Sequence, residues 1–146
     1  MYVRELVATY RIRPGWVTRH SLAVDAPRAA AAIFSQILGE EAVEVFGVLC
    51  LNTKHRVLAY HEVHRGGVSG VVVHARDVFK SALLANAAAV VVGHNHPSGD
   101  PEPSTDDREV TRRLSCAGTA IDLAVLDHII VGHGGRFFSF KEAGGL

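Results

Sequence analysis

Residues 88–107 read AAVVVGHNHPSGDPEPSTDD, and the order of residue types in this stretch sets a strand, a stiff turn and the start of a helix. Ala88 through Val92 form an apolar run closed by Gly93, the pattern of a strand buried on both faces. Side chains two apart on a strand share a face, so a strand carried through the motif sends His94 and His96 the same way off its end, whereas helical geometry would splay them. Pro97, Pro101 and Pro103, with Gly99, exclude helix from the next segment and make a stiff polar loop. Ser104 stands where a helix begins: Thr105 to Glu109 place acids in the first turn, and Val110, Leu114 and Ala117 recur at helical spacing. Asp107, one turn into that helix, can then face the two histidines.

Two imidazoles and one carboxylate hold a tetrahedral zinc and leave its fourth position to water, which is the composition of a hydrolytic site. A closed structural site asks for a fourth protein ligand, usually a thiolate, and no cysteine lies nearby. Magnesium and calcium prefer oxygen, so the imidazoles put Zn2+ first, with iron or manganese as alternatives. Ser104-x-x-Asp107 also fits a capping box, and H-x-H alone is a weak signal. Both halves joined by a loop of fixed Pro/Gly character point to a metal site.

The spacing of H-x-H, seven residues, Ser, two residues and Asp resembles the metal motif of the JAB/MPN/JAMM metalloprotease domain, and H-N-H-P-S-G-D-P-x-P-S-x-x-D is closer still to the bacterial RadC family. Asp107 through Thr111 to Leu114 is similar to that family's D-x-x-x-T-x-x-L, and Leu126-Asp127-His128-Ile129-Ile130 to its L-D-H-I-I strand. Glu44-Val45-Phe46-Gly47-Val48-Leu49 resembles the glutamate-bearing first strand of JAMM domains. The likeness covers about residues 28 to 140. It implies a single α/β domain of the JAB/MPN, cytidine-deaminase-like kind over 28–146, a mixed β-sheet flanked by helices, with 1–27 as an N-terminal extension. It further implies zinc on His94, His96 and Asp107, Glu44 as the base that activates water, and Ser104 as hydrogen-bond donor to the oxyanion. Glu40, Glu41 and Glu62 are rivals on composition; Glu44 is favoured because Phe46, Val48 and Cys50 follow it on one strand face, whereas Glu62 lies in a mixed run with His61 and His64. Ser104 also reads as a helix N-cap, a role it cannot combine at full strength with oxyanion donation.

A chain of 146 residues suits one core and is short for two. Hydrophobic residues at 48% and charged ones at 21% are ordinary for a globular protein. Lys plus Arg and Asp plus Glu are 15 each, so no global positive field draws a phosphate backbone. Arg112-Arg113 and the Arg76, Lys80 pair read as solvated helix faces. Cys50 and Cys116 read as buried thiols of a reducing compartment. Charge at Arg4 and Glu5 interrupts any signal core, and no stretch reaches the about 20 apolar residues that span a bilayer, so a cytoplasmic protein is expected.

The element order reads βαββ(β)αβαββ: a strand at Val3–Ile12 closed by Pro14-Gly15, a helix Pro27–Leu38, strands Glu44–Leu51 and Val57–Val63 about the turn Asn52–His55, and a brief strand Val71–Val73. A helix Ala75–Ala87 precedes the motif strand, Gly118 breaks the helix after it, and strands Asp122–Val131 and Phe137–Phe140 close the chain. Asp127-His128 reads either as a carboxylate orienting a ligand histidine or as a self-satisfied buried pair; the second is preferred for His128, since three ligands already suffice. His20, His55, His61, His64, His74 and His133 show no competing ligand spacing.

Three functions follow. A zinc peptidase or isopeptidase acting on a peptide or protein substrate uses every residue of the motif. A DNA-repair-associated RadC-type accessory domain is disfavoured by zero net charge, and full-length RadC proteins carry an N-terminal helix-hairpin-helix region that 1–27 does not resemble, so nucleic-acid binding is not expected of this chain. A silent interaction module is disfavoured by the complete donor set. A zinc deaminase lacks its P-C-x-x-C pair here.

Overall fold

Helix α1, Pro27–Leu38, starts at a proline whose missing N–H costs nothing in a first turn, and it buries Ala30, Ala31, Ile33, Phe34 and Leu38 along one side. The computed structural model describes residues 2–13, 23–66 and 73–146. Strands β1 (Val45–Leu51) and β2 (Val57–Arg65) follow as an antiparallel hairpin. In its turn Asn52 Oδ1 accepts from Lys54 N (2.9 Å) and Arg56 N (3.0 Å), an Asx-type turn that substitutes side chain for backbone. Helix α2 (Ala75–Leu84), strand β3 (Ala89–Asn95), helix α3 (Thr105–Ala120), strand β4 (Ala124–Val131), a 3₁₀ turn (His133–Gly135) and strand β5 (Phe137–Ser139) complete the chain.

The five strands form one mixed sheet in the order β2-β1-β3-β4-β5, parallel only between β3 and β4, which α3 connects. Successive side chains on β1 go to opposite layers: Val45, Leu49 and Leu51 meet α1, while Phe46, Val48 and Cys50 join Val78, Phe79 and Leu114 from α2 and α3. The sheet is covered on both faces, which is why β1 and β3 read as continuous apolar runs without alternation. Each wholly buried large side chain such as Phe34, Leu49 or Ile129 stabilises by about 1.5–3 kcal/mol. That outweighs exposed ion pairs such as Arg65–Glu41 (2.6 Å), of a kind worth roughly 0–1 kcal/mol.

The fold is thus the α/β domain with a mixed, helix-flanked sheet that the sequence leads one to expect, with local differences. Val3–Ile12 forms no strand: residues 2–13 lie outside regular structure with Tyr2, Val3, Leu6, Val7, Tyr10 and Ile12 exposed, and β-propensity without a paired neighbour leaves a strand's backbone unsatisfied. Pro14-Gly15 and residues 71 and 72 of the expected Val71–Val73 strand fall outside the described residues, and Val73 is not in a strand. Helix α2 ends at Leu84, short of Ala87, where Asn86 takes a left-handed φ of 55°. Gly118 does not break α3; it lies inside it, and its bare Cα lets Leu123 O return within 2.4 Å of where a Cβ would stand. Strand β4 begins at Ala124, not Asp122, whose φ is also 55°. In β4 the register skips Leu126, so that Asp127 pairs with Val91 and His128 with Val92. The extra residue sets which of the two faces the α2/α3 layer. Among the described residues, no helix is long and apolar enough to cross a membrane.

Candidate metal centre

At the C-terminal end of β3, Gly93 has no side chain, and the ring of Phe34 takes the room: a Cβ there would stand 2.7 Å from Phe34 Cε2. Helix α1 therefore packs directly on the back of the strand. The next residue, His94, faces the other layer, 1% exposed and stacked on Phe46 with centroids 5.7 Å apart. Past Asn95 the chain turns through Gly99, which adopts φ 84°. Gly99 O accepts from His133 N (3.1 Å) and Arg136 Nη2 (2.7 Å), tying the loop to the 3₁₀ turn. Within the loop His96 Nδ1 donates to Asp100 O (2.8 Å), because a carbonyl can only accept, and its Nε2 is left toward His94.

Helix α3 opens with a capping box. Ser104 Oγ accepts from Asp107 N (3.1 Å), while Asp107 Oδ2 accepts from Ser104 N (2.8 Å) and Ser104 Oγ (2.7 Å). The cap thereby fixes the Asp107 carboxylate. His94 Nε2 is 3.0 Å from His96 Nε2 and 3.1 Å from Asp107 Oδ1, and His96 Nε2 is 3.5 Å from Asp107 Oδ2. Bonds of about 2.0–2.1 Å to a tetrahedral cation space its donors about 3.3 Å apart, so this trio of two nitrogens and one oxygen fits zinc in both size and donor type. His94, His96 and Asp107 are the one such group among the described residues that could hold a metal ion.

Electrostatics bind the cluster together. Burial pushes the Asp107 carboxyl up, but in the metal-free cluster the His94 and His96 imidazoles, which donate to it only when doubly protonated, and the Ser104 hydroxyl more than offset this and hold the group far below the usual carboxylate range. The Asp107 carboxylate in turn raises the His96 pKa against partial burial. Glu44 lies at the entrance to β1 with Oε1 4.0 Å from His94 Nε2, and burial raises its pKa although the two imidazoles oppose the shift. The other carboxylates of the sequence reading lie elsewhere: Glu40 is exposed, while Glu41 and Glu62 are engaged by Arg65 at 2.6 and 2.9 Å.

Four residues behind the donors shape the site: Asn95 and Thr111, whose roles sequence reasoning missed, and Asp127 and His128, for which a buried, self-satisfied pair is the preferred sequence reading. Asn95, between the histidines and on the opposite face, accepts from Val45 N (2.7 Å) and donates to Glu41 O (3.2 Å) and Val43 O (3.0 Å), so it pins the segment bearing Glu44. Its signal is the strand period itself, which turns an amide away from the site and into the fold. His128 Nε2 is 2.9 Å from His94 Nδ1, and Thr111 Oγ1 is 2.6 Å from His128 Nδ1; His128 stands behind His94, outside the donor trio. Asp127 orients no imidazole: it accepts from Ser139 Oγ (2.6 Å), His128 N (2.8 Å) and Lys141 N (3.0 Å), locking β4 to the chain's C-terminal turn.

A mixed sheet with H-x-H at the end of its central strand and an aspartate from the following helix defines a JAB-type α/β domain. The chain belongs to the RadC-like JAB domain family, whose model matches residues 24–146. A UPF0758 protein of Xanthomonas axonopodis pv. citri is 48% identical over 124 residues, covering 85% of this chain and 55% of that protein. One from Symbiobacterium thermophilum is 46% identical over 118 residues, 81% of this chain and 50% of its own. The chain spans about half the length of these relatives.

Proposed function

We propose that this domain is a zinc-dependent hydrolase of amide bonds, a metallopeptidase or isopeptidase acting on a peptide or protein in the cytoplasm. The observation that carries the reading is Glu44, a half-buried carboxylate 4.0 Å from a donor nitrogen of a trio suited to zinc. Zinc bound by His94, His96 and Asp107 would supply Lewis acidity, lowering the pKa of water and polarising a carbonyl. Glu44 takes a proton from water and returns it to the leaving amine nitrogen; burial moves its pKa up toward the operating pH, which suits a group that must both accept and release. Ser104 can donate to the developing oxyanion only by giving up its bond to Asp107 Oδ2, so its present geometry favours holding the metal ligand.

Two variants separate these duties. Glu44→Gln is expected to keep zinc content, measured by elemental analysis, and to lose about 10²–10⁴-fold in hydrolysis of whatever sequence a peptide library yields. Wild-type turnover in that variant with zinc present removes Glu44 from the mechanism. Ser104→Ala is expected to lose about 1 kcal/mol of stability in a denaturant titration through the missing cap. If its slower turnover is restored by raising the zinc concentration, the serine acts through Asp107; a loss that persists at full zinc occupancy assigns it to the oxyanion.

A further inference from the structure

We propose that His128 and Thr111 are positioning residues that fix the tautomer of His94, directing its Nε2 lone pair at the cation, with the polarity of the whole chain set by one helix carbonyl. This builds on the metal reading above only for its consequence. Three short contacts run in series: Thr111 Oγ1 to Asp107 O at 2.6 Å, Thr111 Oγ1 to His128 Nδ1 at 2.6 Å, and His128 Nε2 to His94 Nδ1 at 2.9 Å.

A carbonyl oxygen cannot donate, so the one hydroxyl proton of Thr111 goes to Asp107 O. The hydroxyl must then accept from His128, which therefore carries its proton on Nδ1. His128 is 0% exposed, where an uncompensated charge is costly, and in the neutral ring Nε2 is bare and accepts from His94 Nδ1–H. What remains on His94 is Nε2, at the corner of the donor trio. Once Asp107 O claims the proton of the rotatable Thr111 hydroxyl, each bond dictates the next.

The surroundings keep this chain in place. Thr111 is 1% exposed, so bulk water does not compete for its hydroxyl. Phe140 stacks on the His128 ring at 4.9 Å and Phe46 meets it edge-on at 5.5 Å, which holds the ring plane. The chain starts at the backbone of Asp107 and ends at His94, so the donors from α3 and β3 are joined behind the site as well as across it.

The test has one arm that needs no metal. Long-range ¹⁵N–¹H correlation spectra of metal-free protein are expected to show His128 protonated at Nδ1 alone; a His128 protonated at Nε2 overturns the proposal. In Thr111→Val, which keeps the shape and removes the hydroxyl, His128 is expected to populate both tautomers, and Thr111→Ser to restore the single one. In the second arm, chelator competition with Zn2+ and Co2+ is expected to show affinity falling about 10–100-fold in Thr111→Val and recovering in Thr111→Ser. Undiminished affinity in a folded Thr111→Val protein refutes the positioning role. Should Thr111→Val not fold, His128→Gln against His128→Leu makes the same comparison, since an amide oxygen can accept from His94 Nδ1; equal affinity in the pair refutes it likewise. A wild type that takes up neither ion would end the metal reading, and the tautomer spectrum would still decide whether the chain runs as drawn.

Discussion

Asp106 and Asp107 share a side chain and a place in the first turn of α3, yet only one faces the histidines. About 100° of helical rotation per residue leaves Asp106 exposed while Asp107 Oδ1 sits 3.1 Å from His94 Nε2. Asp107→Ala is therefore expected to abolish stoichiometric zinc binding and Asp106→Ala to retain it, as read by elemental analysis after dialysis; the reverse pattern would discard the donor assignment. Much of this is legible in the sequence alone. His94 and His96 on one face follow from the strand period, and Asp107 from one turn of helix. Thr111 was half legible: its reach to Asp107 O is the local i to i−4 bond any helical threonine can make. Its reach to His128 crosses from α3 to β4 and depends on a register that sequence spacing does not encode. Ser104 was legible as a cap from its three-residue spacing to Asp107, and the structure adds where its hydroxyl proton is directed.

Elements were predictable where punctuation is local and elusive where pairing is remote. Pro27 opens α1 and Asn52 turns the hairpin through bonds made within a few residues. Val3–Ile12, with Val3, Val7, Thr9, Tyr10 and Ile12, carries the local character of a strand, but a ladder needs a partner that composition cannot name. The contact between α1 and β3 gives the element-scale test. Phe34 lies where a Gly93 side chain would be, so Gly93→Val must push the helix off the strand that carries His94. A loss of about 1–3 kcal/mol is expected in denaturant unfolding from this overpacking. Adding Phe34→Ala should recover part of it, since residues in contact couple in a double-mutant cycle. Strictly additive losses would show that the two do not compete for one space.

For the molecule as a whole, equal numbers of acidic and basic residues leave this chain without a net positive field to draw a phosphate backbone. Binding of this chain to double-stranded DNA is expected to be weak and to vanish between low and physiological salt, since few counterions would be released. Salt-resistant, tight binding in a fluorescence titration would favour the accessory-domain role instead. The three donors of the candidate centre come from a single run of fourteen residues, His94 to Asp107, whereas the two apolar layers draw on helices and strands from the whole length of the domain. The candidate donor set is in that sense a cassette set into the fold: a descendant could change or lose it through a few neighbouring codons and inherit the rest of the architecture unaltered.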